Sequence, residues 1–160
     1  PLCGSCPAAE FCTARREART GELPVKPPKK ARRVEERTVF LLFYQNQTAL
    51  RRRPDKGLLA GLWEYPNEPG AGLERLEQWG IEPRAVTPAG EGKHIFTHIE
   101  WHMRALAVEA AGPELPAGWV WAGAEALGEI YAVPNAFQAF QPAVEGRLRG
   151  RTPGEGDDVT

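Results

Sequence analysis

The chain has 160 residues, of which 42% are apolar and 26% are charged, and its formal net charge is −1. This composition is typical of one soluble globular domain with room for a short segment at each end. The balanced charge excludes a general electrostatic attraction to nucleic acid, and no run of 18 apolar residues exists that could cross a membrane. Residues 1–12 do not have the form of a signal peptide, so we expect a cytoplasmic or nucleoid location as the default.

All three cysteines lie in the first twelve residues, in the pattern Cys3-x2-Cys6-x5-Cys12. This concentration of thiols is typical of a metal or iron–sulfur site, and three thiols cannot all pair as disulfides within one chain. Because a four-cysteine site needs one more ligand, we expect residues 1–12 to be the remnant of a cluster loop without an assembled cluster. A zinc site, a redox pair of Cys3 and Cys6, and three unrelated free thiols are competing interpretations.

Residues 13–36 have the composition of an interdomain linker. The prolines at positions 24, 27 and 28 favour extended, polyproline-like backbone, because proline fixes φ and disfavours helix at the residue before it. From Arg15 to Arg37 nine basic residues stand against four glutamates, a local excess of five positive charges. This segment is either a solvated hinge or a basic tether that follows a phosphate backbone with salt-dependent affinity.

A globular domain is predicted for residues 37–149, followed by a disordered tail at 150–160. Its continuous apolar run Thr38–Tyr44 predicts a strand covered on both faces, and Gln45-Asn46 turns it into a second strand. Further strands are predicted at 84–88, 93–97, 100–110 and 119–121. Helices are predicted at 72–79, ended by Gly80, at 122–129, and after Val133-Pro134, with Phe137, Phe140, Val144 and Leu148 on one face. The pattern predicts an α+β fold, a mixed sheet flanked by helices.

Three longer motifs carry a family resemblance. They are Gly57-Leu-Leu-Ala-Gly-Leu-Trp-Glu-Tyr-Pro-Asn67, Lys93-His-Ile-Phe-Thr-His98 and Tyr131-Ala-Val-Pro134. With the cysteine spacing, and in this order, they resemble the C-terminal part of MutY-type adenine DNA glycosylases. The resemblance runs through essentially the whole chain. It implies a Nudix-like domain in residues 37–149 that helps to recognise 8-oxoguanine opposite the adenine to be removed.

The resemblance also implies a cofactor and partners. In that family a catalytic domain similar to endonuclease III ends in four cysteines, spaced C-x6-C-x2-C-x5-C, that bind a 4Fe–4S cluster. Cys3, Cys6 and Cys12 match the last three, and the first would lie seven residues before Cys3. The implied partners are double-stranded DNA with 8-oxoguanine·A mispairs and the parent protein's own N-terminal catalytic domain. The parent would be a base-excision repair glycosylase, and this chain alone is expected to be inactive.

Phe96, Thr97 and His98 are the candidate lesion-binding residues that the resemblance singles out. Oxidation turns guanine N7 from a hydrogen-bond acceptor into an N–H donor, and a threonine Oγ1 can accept from that changed group. His98 can contact phosphate or fix the loop, whereas Phe96 is mostly a packing residue. Residue types alone favour ordinary core and surface positions for all three. The same holds for Trp63, Trp101 and Trp119, which are predicted to be packing residues.

Other functions are weighed against this one. A working Nudix hydrolase holds Mg²⁺ with the glutamates of the pattern G-x5-E-x7-R-E-U-x-E-E-x-G-U, in which U is a bulky aliphatic residue. Aligned on Gly80-Ile81, this chain has Leu73 in place of the arginine and Gln78 in place of one glutamate. Hydrolysis of oxidised nucleotides is therefore not expected. Two further functions compete with lesion recognition: a protein-interaction module, for example one that docks a replication clamp, and a zinc-binding DNA module.

Overall fold

The computed structural model describes residues 2–26, 28 and 31–150. Apart from Gly150, the tail predicted at 150–160 lies outside the described residues, as do Pro27, Lys29 and Lys30 of the predicted linker. The chain divides into two compact units, Pro1–Ala31 and Arg32–Thr160. No helix in the described ranges is long and apolar enough to span a membrane.

The first unit contains little regular structure. A 3-10 turn covers Cys3–Ser5, and one helical turn, α1, covers Thr13–Arg16. The beginning of the segment predicted to be an extended linker is therefore helical. The reason is local, because alanine and arginine are good helix formers and no proline occurs before Pro24 in this segment.

The second unit is built on a mixed sheet, as predicted, and this sheet has seven strands. Its strands are β1 Arg33–Tyr44, β2 Gln47–Arg52, β3 Trp63–Glu64, β4 Asn67–Pro69, β5 Pro83–Ile95, β6 Ile99–Ala110 and β7 Trp119–Ala122. The main order is β3-β2-β1-β6-β5, while β4 pairs with β1 and β7 pairs with β2. Only the central pair β1–β6 is parallel among the described strands. The predicted α+β class is confirmed.

The apolar run in β1 is covered on both faces, as its sequence predicts. Val39, Leu41 and Phe43 join a core cluster with the C-terminal helical segments, whereas Phe40 and Leu42 join a second cluster on the opposite face. All five side chains are at most 4% exposed. The central strand therefore separates two hydrophobic layers, and this makes it the rigid reference for the loops at its ends.

Two strand boundaries differ from the prediction. β1 begins at Arg33, inside the segment predicted to be linker, because the backbone from Arg33 onward pairs with β6 from Ile99 onward. Its first residues are polar, so apolar patterning could not identify them as a strand. The strands predicted at 84–88 and 93–97 form the single strand β5, with a register shift between Pro88 and Glu91 where Gly90 takes a φ of +101°.

Two predicted helices are shorter than expected. Helix α2 covers Glu74–Gln78, and Gly80 follows it with a φ of +69°, as expected of a C-terminal cap. The helix predicted at 122–129 is reduced to α3, Ala126–Glu129, and Gly128 interrupts even this turn with a φ of 95°.

The last predicted helix is split in two. A 3-10 helix covers Asn135–Phe140, and α4 covers Gln141–Leu148. Pro142 lies in the first turn of α4, and its missing N–H cannot bond the carbonyl four residues earlier. The four apolar residues predicted to share a face are all buried: Phe137, Phe140, Val144 and Leu148.

Candidate nucleic-acid interface

Phe96, Thr97 and His98 together form the turn that joins β5 to β6. The Phe96 backbone N–H donates to the Ile99 carbonyl at 2.8 Å, which closes the turn. The Thr97 and His98 side chains are exposed, whereas Phe96 is half-buried. The prediction that Thr97 belongs to a strand is wrong, because β5 ends at Ile95. The turn therefore presents one hydroxyl and one imidazole to solvent at the tip of a long hairpin.

The tip is held against the beginning of the central strand. The Arg33 backbone N–H donates to the His98 carbonyl at 3.2 Å. The Arg33 side chain is 70% exposed, and its nearest carboxylate is that of Glu35, at 4.0 Å. An exposed guanidinium therefore lies beside the turn, where it can meet a phosphate without breaking a strong ion pair.

Phe96 turns back onto the sheet instead of pointing into solvent. Its ring lies 4.5 Å from the His94 ring and 4.9 Å from the Trp101 ring, both in edge-to-face geometry. Trp101 is only 1% exposed and contacts the aromatic core through Phe137 at 6.1 Å. The prediction that Trp101 is a packing residue is confirmed, and Phe96 likewise packs. Aromatic contacts of this kind fix the backbone at one end of the turn.

A layer of buried and half-buried charges surrounds Trp101. Its indole Nε1 donates to Glu35 Oε2 at 2.8 Å, and the Arg37 guanidinium lies 4.5 Å over its ring. Arg37 also pairs with Glu35 at 3.2 Å and donates to Asn67 Oδ1 at 2.8 Å. Burial lowers the pKa of Arg37, while the charges of Glu35 and Glu64 oppose the shift. Arginine remains charged in proteins, so the layer keeps its ion pairs.

The same layer extends into the motif around Trp63 and Tyr65. Glu64 is 1% exposed and binds Arg51 and Arg53, at 2.8 Å in each case. Arg53 lies 5.7 Å from the Trp101 ring centre and also donates to the Leu58 carbonyl at 2.8 Å. A buried carboxylate with two arginine partners is well satisfied, and losing it would remove the ion pair of Arg53 and leave Arg51 with Glu68, at 2.9 Å. Through Arg53, Glu64 therefore links the loop that contains Leu58 to Trp101.

The opposite face of the hairpin carries a second, more exposed polar group. Glu100 accepts from Lys93 at 2.6 Å and contacts His102 Nε2 at 2.8 Å. The hydrogen bond from Lys93 is the larger cause and that from His102 the next, and together they hold the pKa of Glu100 below its ordinary value of 4.5. Lys93 is thus engaged, whereas Arg33 and His98 present their polar groups to solvent beside Thr97.

The three cysteines of the predicted cluster loop lie in the first unit. Cys3 and Cys12 are half-buried, and Cys6 is exposed. Within residues 2–26, 28 and 31–150, no three histidine, cysteine, aspartate or glutamate side chains come together as a metal site. Glu77 and Gln78 on α2 are exposed.

The buried layer is the part of this site that sequence reasoning missed. The predicted boundaries place Glu35 in the linker and Arg37 at the edge of the domain, yet both lie in β1 and contact Trp101. The available signal is alternation, because Glu35 and Arg37 continue the i, i+2 series of Val39, Leu41 and Phe43. Two charged residues at alternate positions that continue a buried apolar face can form an ion pair inside the fold. The sequence predicts this only when the neighbouring strand that would cover them is known.

The family model for the NUDIX domain matches residues 38–141. The adenine DNA glycosylase of Rattus norvegicus is 33% identical over 118 residues, covering 62% of this chain and 23% of that protein. The adenine DNA glycosylase of Homo sapiens is 31% identical over 122 residues, covering 65% and 22%. The chain thus spans less than a quarter of the length of these relatives.

Solved structures agree on the fold. The C-terminal domain of mouse MUTYH, in complex with human PCNA, is 26% identical with a TM-score of 0.52, covering 78% of this chain and 94% of that one. The MutT protein from Methanosarcina mazei Go1 has a TM-score of 0.58 at 16% identity, covering 74% and 97%, and supports the fold alone. The matched family model, which includes the sheet and the tip, covers more than half of the chain. The chain belongs to the Nudix domain family.

Proposed function

We propose that this chain is the lesion-recognition part of an adenine DNA glycosylase that removes adenine mispaired with 8-oxoguanine. The observation that carries the proposal is the turn Phe96–His98, in which an anchored aromatic holds an exposed hydroxyl and an exposed imidazole at the end of a rigid hairpin. The similarity to rat and human adenine DNA glycosylases supports the same reaction class. Base-excision repair is the corresponding process.

Thr97 is the proposed reader of the oxidised base. In 8-oxoguanine N7 carries a proton, so Thr97 Oγ1 can accept a hydrogen bond from it, whereas N7 of guanine offers only an acceptor. A supported backbone favours this contact, because less conformational freedom is lost when the Thr97 hydroxyl binds the base. Phe96 gives the backbone this support through Trp101.

Backbone contacts would provide affinity without selectivity. Arg33 is the proposed phosphate contact beside the turn, with His98 next to it. The basic residues among 13–36 would add further contacts at longer range. Phosphate contacts of this kind weaken as salt rises, because binding releases counterions from the DNA. We therefore expect salt to lower the affinity for damaged and undamaged duplexes by similar factors.

Adenine excision itself is assigned to another part of the parent protein. The reaction requires extrusion of the base and carboxylates that act as acid and base at the sugar. A 4Fe–4S cluster held by Cys3, Cys6 and Cys12 would need a fourth ligand in addition to these thiols. A replication clamp is a proposed partner, because the mouse MUTYH C-terminal domain was solved with human PCNA.

The proposal is tested by the affinity of the chain for two duplexes that differ only in 8-oxoguanine·A or guanine·A. We expect the lesion duplex to bind about five- to tenfold more tightly, which corresponds to one hydrogen bond of ~1 kcal/mol. Thr97→Val should remove this preference because it keeps the shape of threonine and lacks the hydroxyl. Thr97→Ser is the matched control that retains it. Equal affinity of the wild-type chain for both duplexes would refute the proposal.

A further inference from the structure

A row of three side chains crosses the sheet next to the turn Phe96–His98, which is called the recognition turn from here on. In the strand register, Glu35 of β1 lies beside Trp101 of β6, and Trp101 lies beside His94 of β5. Cross-strand neighbours in one row point to the same face of a sheet. The Phe96 ring then packs on two members of this row, His94 and Trp101. The turn therefore packs, through Phe96, on a row of side chains formed by Glu35, Trp101 and His94.

The orientation of Trp101 depends on Glu35. A buried indole N–H needs an acceptor, and Glu35 Oε2 accepts it at 2.8 Å. Glu35 is in turn fixed by Arg37, whose guanidinium lies 3.2 Å from the same carboxylate oxygen. Charged acceptors make shorter and stronger hydrogen bonds than neutral ones. The indole plane against which Phe96 packs is therefore set by a carboxylate on a different strand.

From this row we infer that Glu35 is a positioning residue for the recognition turn: it orients Trp101, and Trp101 orients Phe96 and the backbone of Thr97. The inference rests on the proposed function for its consequence in DNA binding. It assigns no contact between Glu35 and DNA. Without the acceptor, Trp101 keeps its place in the core through Phe137 but gains freedom to rotate. The turn then samples more than one conformation, and its selectivity falls before its stability does.

The test compares three variants of Glu35 with the wild-type chain. Glu35→Leu removes the acceptor, Glu35→Gln keeps an amide oxygen that can accept, and Glu35→Asp keeps the charge but is one methylene too short. Glu36→Leu is the matched control, because Glu36 neighbours Glu35 on the other face and its side chain is 75% exposed. All measurements are made well below the melting temperature of each variant.

The first readout needs no DNA. We expect Glu35→Leu to speed hydrogen exchange of the Trp101 indole N–H by about tenfold or more, the factor for a lost bond of ~1.4 kcal/mol. It should also increase the backbone mobility of Thr97 and His98 in ¹⁵N relaxation. Glu35→Gln should preserve both values. If Glu35→Leu does not fold, Glu35→Asp replaces it with the same expected direction. Unchanged exchange and relaxation in whichever variant folds would overturn the inference.

The second readout is the ratio of affinities for lesion and undamaged duplexes. Glu35→Leu should bring this ratio close to 1 while changing the affinity for the undamaged duplex by less than about twofold, since phosphate contacts remain. Glu35→Gln and Glu36→Leu should keep the wild-type ratio. A wild-type chain without selectivity would refute the proposed function, and the exchange measurement would then decide the positioning role by itself. Loss of selectivity in Glu36→Leu equal to that in Glu35→Leu would overturn the positioning role.

Discussion

The sheet contains two hairpin turns whose construction differs. The turn between β1 and β2 has two residues, Gln45 and Asn46, and both take positive φ, of 45° and 59°. Both are exposed, and the side-chain hydrogen bond of Gln45 reaches only its neighbour Tyr44. The turn between β5 and β6, at 96–98, has no positive φ.

The difference lies in what supports each turn. The first is determined by backbone geometry, because two positive φ values match the twist of a two-residue hairpin. The second is determined by side chains below it, from Phe96 through Trp101 to Glu35. Partly buried charges are costly unless they are well paired, and Glu35 is paired with Arg37 at 3.2 Å. The two turns therefore differ in their support, which is backbone geometry at 45–46 and packed side chains at 96–98.

The largest expected effect comes from removing that support. Trp101→Ala should lower the free energy of unfolding by about 3–5 kcal/mol, because it leaves a cavity beside two arginines. Tyr44→Ala, at the base of the connecting turn, should cost at most about 2 kcal/mol, since Tyr44 is only half-buried. Urea unfolding of both variants measures the difference. Equal losses would mean that the two turns are supported alike.

The next effect concerns the close approach of β5 to the 3-10 helix. A Cβ added at Gly92 would lie 2.9 Å from Ala139 Cβ and 3.1 Å from Phe140 Cζ. Gly92→Ala should therefore destabilise the chain by about 1–3 kcal/mol. Gly146 lies in α4 with nothing within 4 Å of an added Cβ, so Gly146→Ala should stabilise by about 0.5–1 kcal/mol. Thermal melts with the same sign for both variants would contradict the packing described for Gly92.

A smaller effect on stability distinguishes the two turns by their backbone conformation. Gln45→Gly should stabilise the chain by about 0.5–1 kcal/mol, because glycine adopts positive φ without the steric cost that glutamine carries. Thr97→Gly should destabilise it by about 0.5–1 kcal/mol, because it adds freedom to the unfolded chain without relieving strain. Denaturant midpoints of the two variants should move in opposite directions. A stabilising Thr97→Gly would show that the recognition turn is strained after all.

The smallest effect concerns the exposed face of the supported hairpin. The hydrogen bonds from Lys93 and His102 lower the pKa of Glu100, so their stabilisation is present above pH 4.5 and is lost as pH falls through the folded pKa. Lys93→Met should raise the pKa of Glu100 towards 4.5, whereas Lys56→Met, at a distant exposed lysine, should leave it unchanged. Carboxyl ¹³C titrations measure both. A pKa that stays low in Lys93→Met would contradict the assignment of Lys93 as the main cause.

The sequence predicted the parts of the fold that apolar patterning controls. The doubly covered strand at Thr38–Tyr44, the turn at Gln45-Asn46 and the buried face of the last helical segment follow from local periodicity. Patterning failed where long-range pairing decides the structure. Arg33–Arg37 is a strand because β6 pairs with it, and β5 continues past Pro88 with a register shift at which Gly90 takes positive φ.

The candidate site was predicted in part. The resemblance pointed to Phe96, Thr97 and His98, and the structure gathers them in one turn with two exposed side chains. The role of Glu35 could not be predicted, because it depends on a hydrogen bond to a residue 66 positions away. Such pairs follow from strand register, which a single sequence does not specify when the residues are polar.

The most direct measurement is an NMR titration of the ¹⁵N-labelled chain with two short duplexes, one carrying 8-oxoguanine·A and the other guanine·A, at one salt concentration. We predict that the Phe96–His98 amides and the Trp101 indole N–H shift with the lesion duplex alone, while Arg33 shifts with both. Equal shifts with both duplexes, centred on the basic residues of 13–36, would contradict lesion recognition by this turn and leave a nonspecific DNA tether.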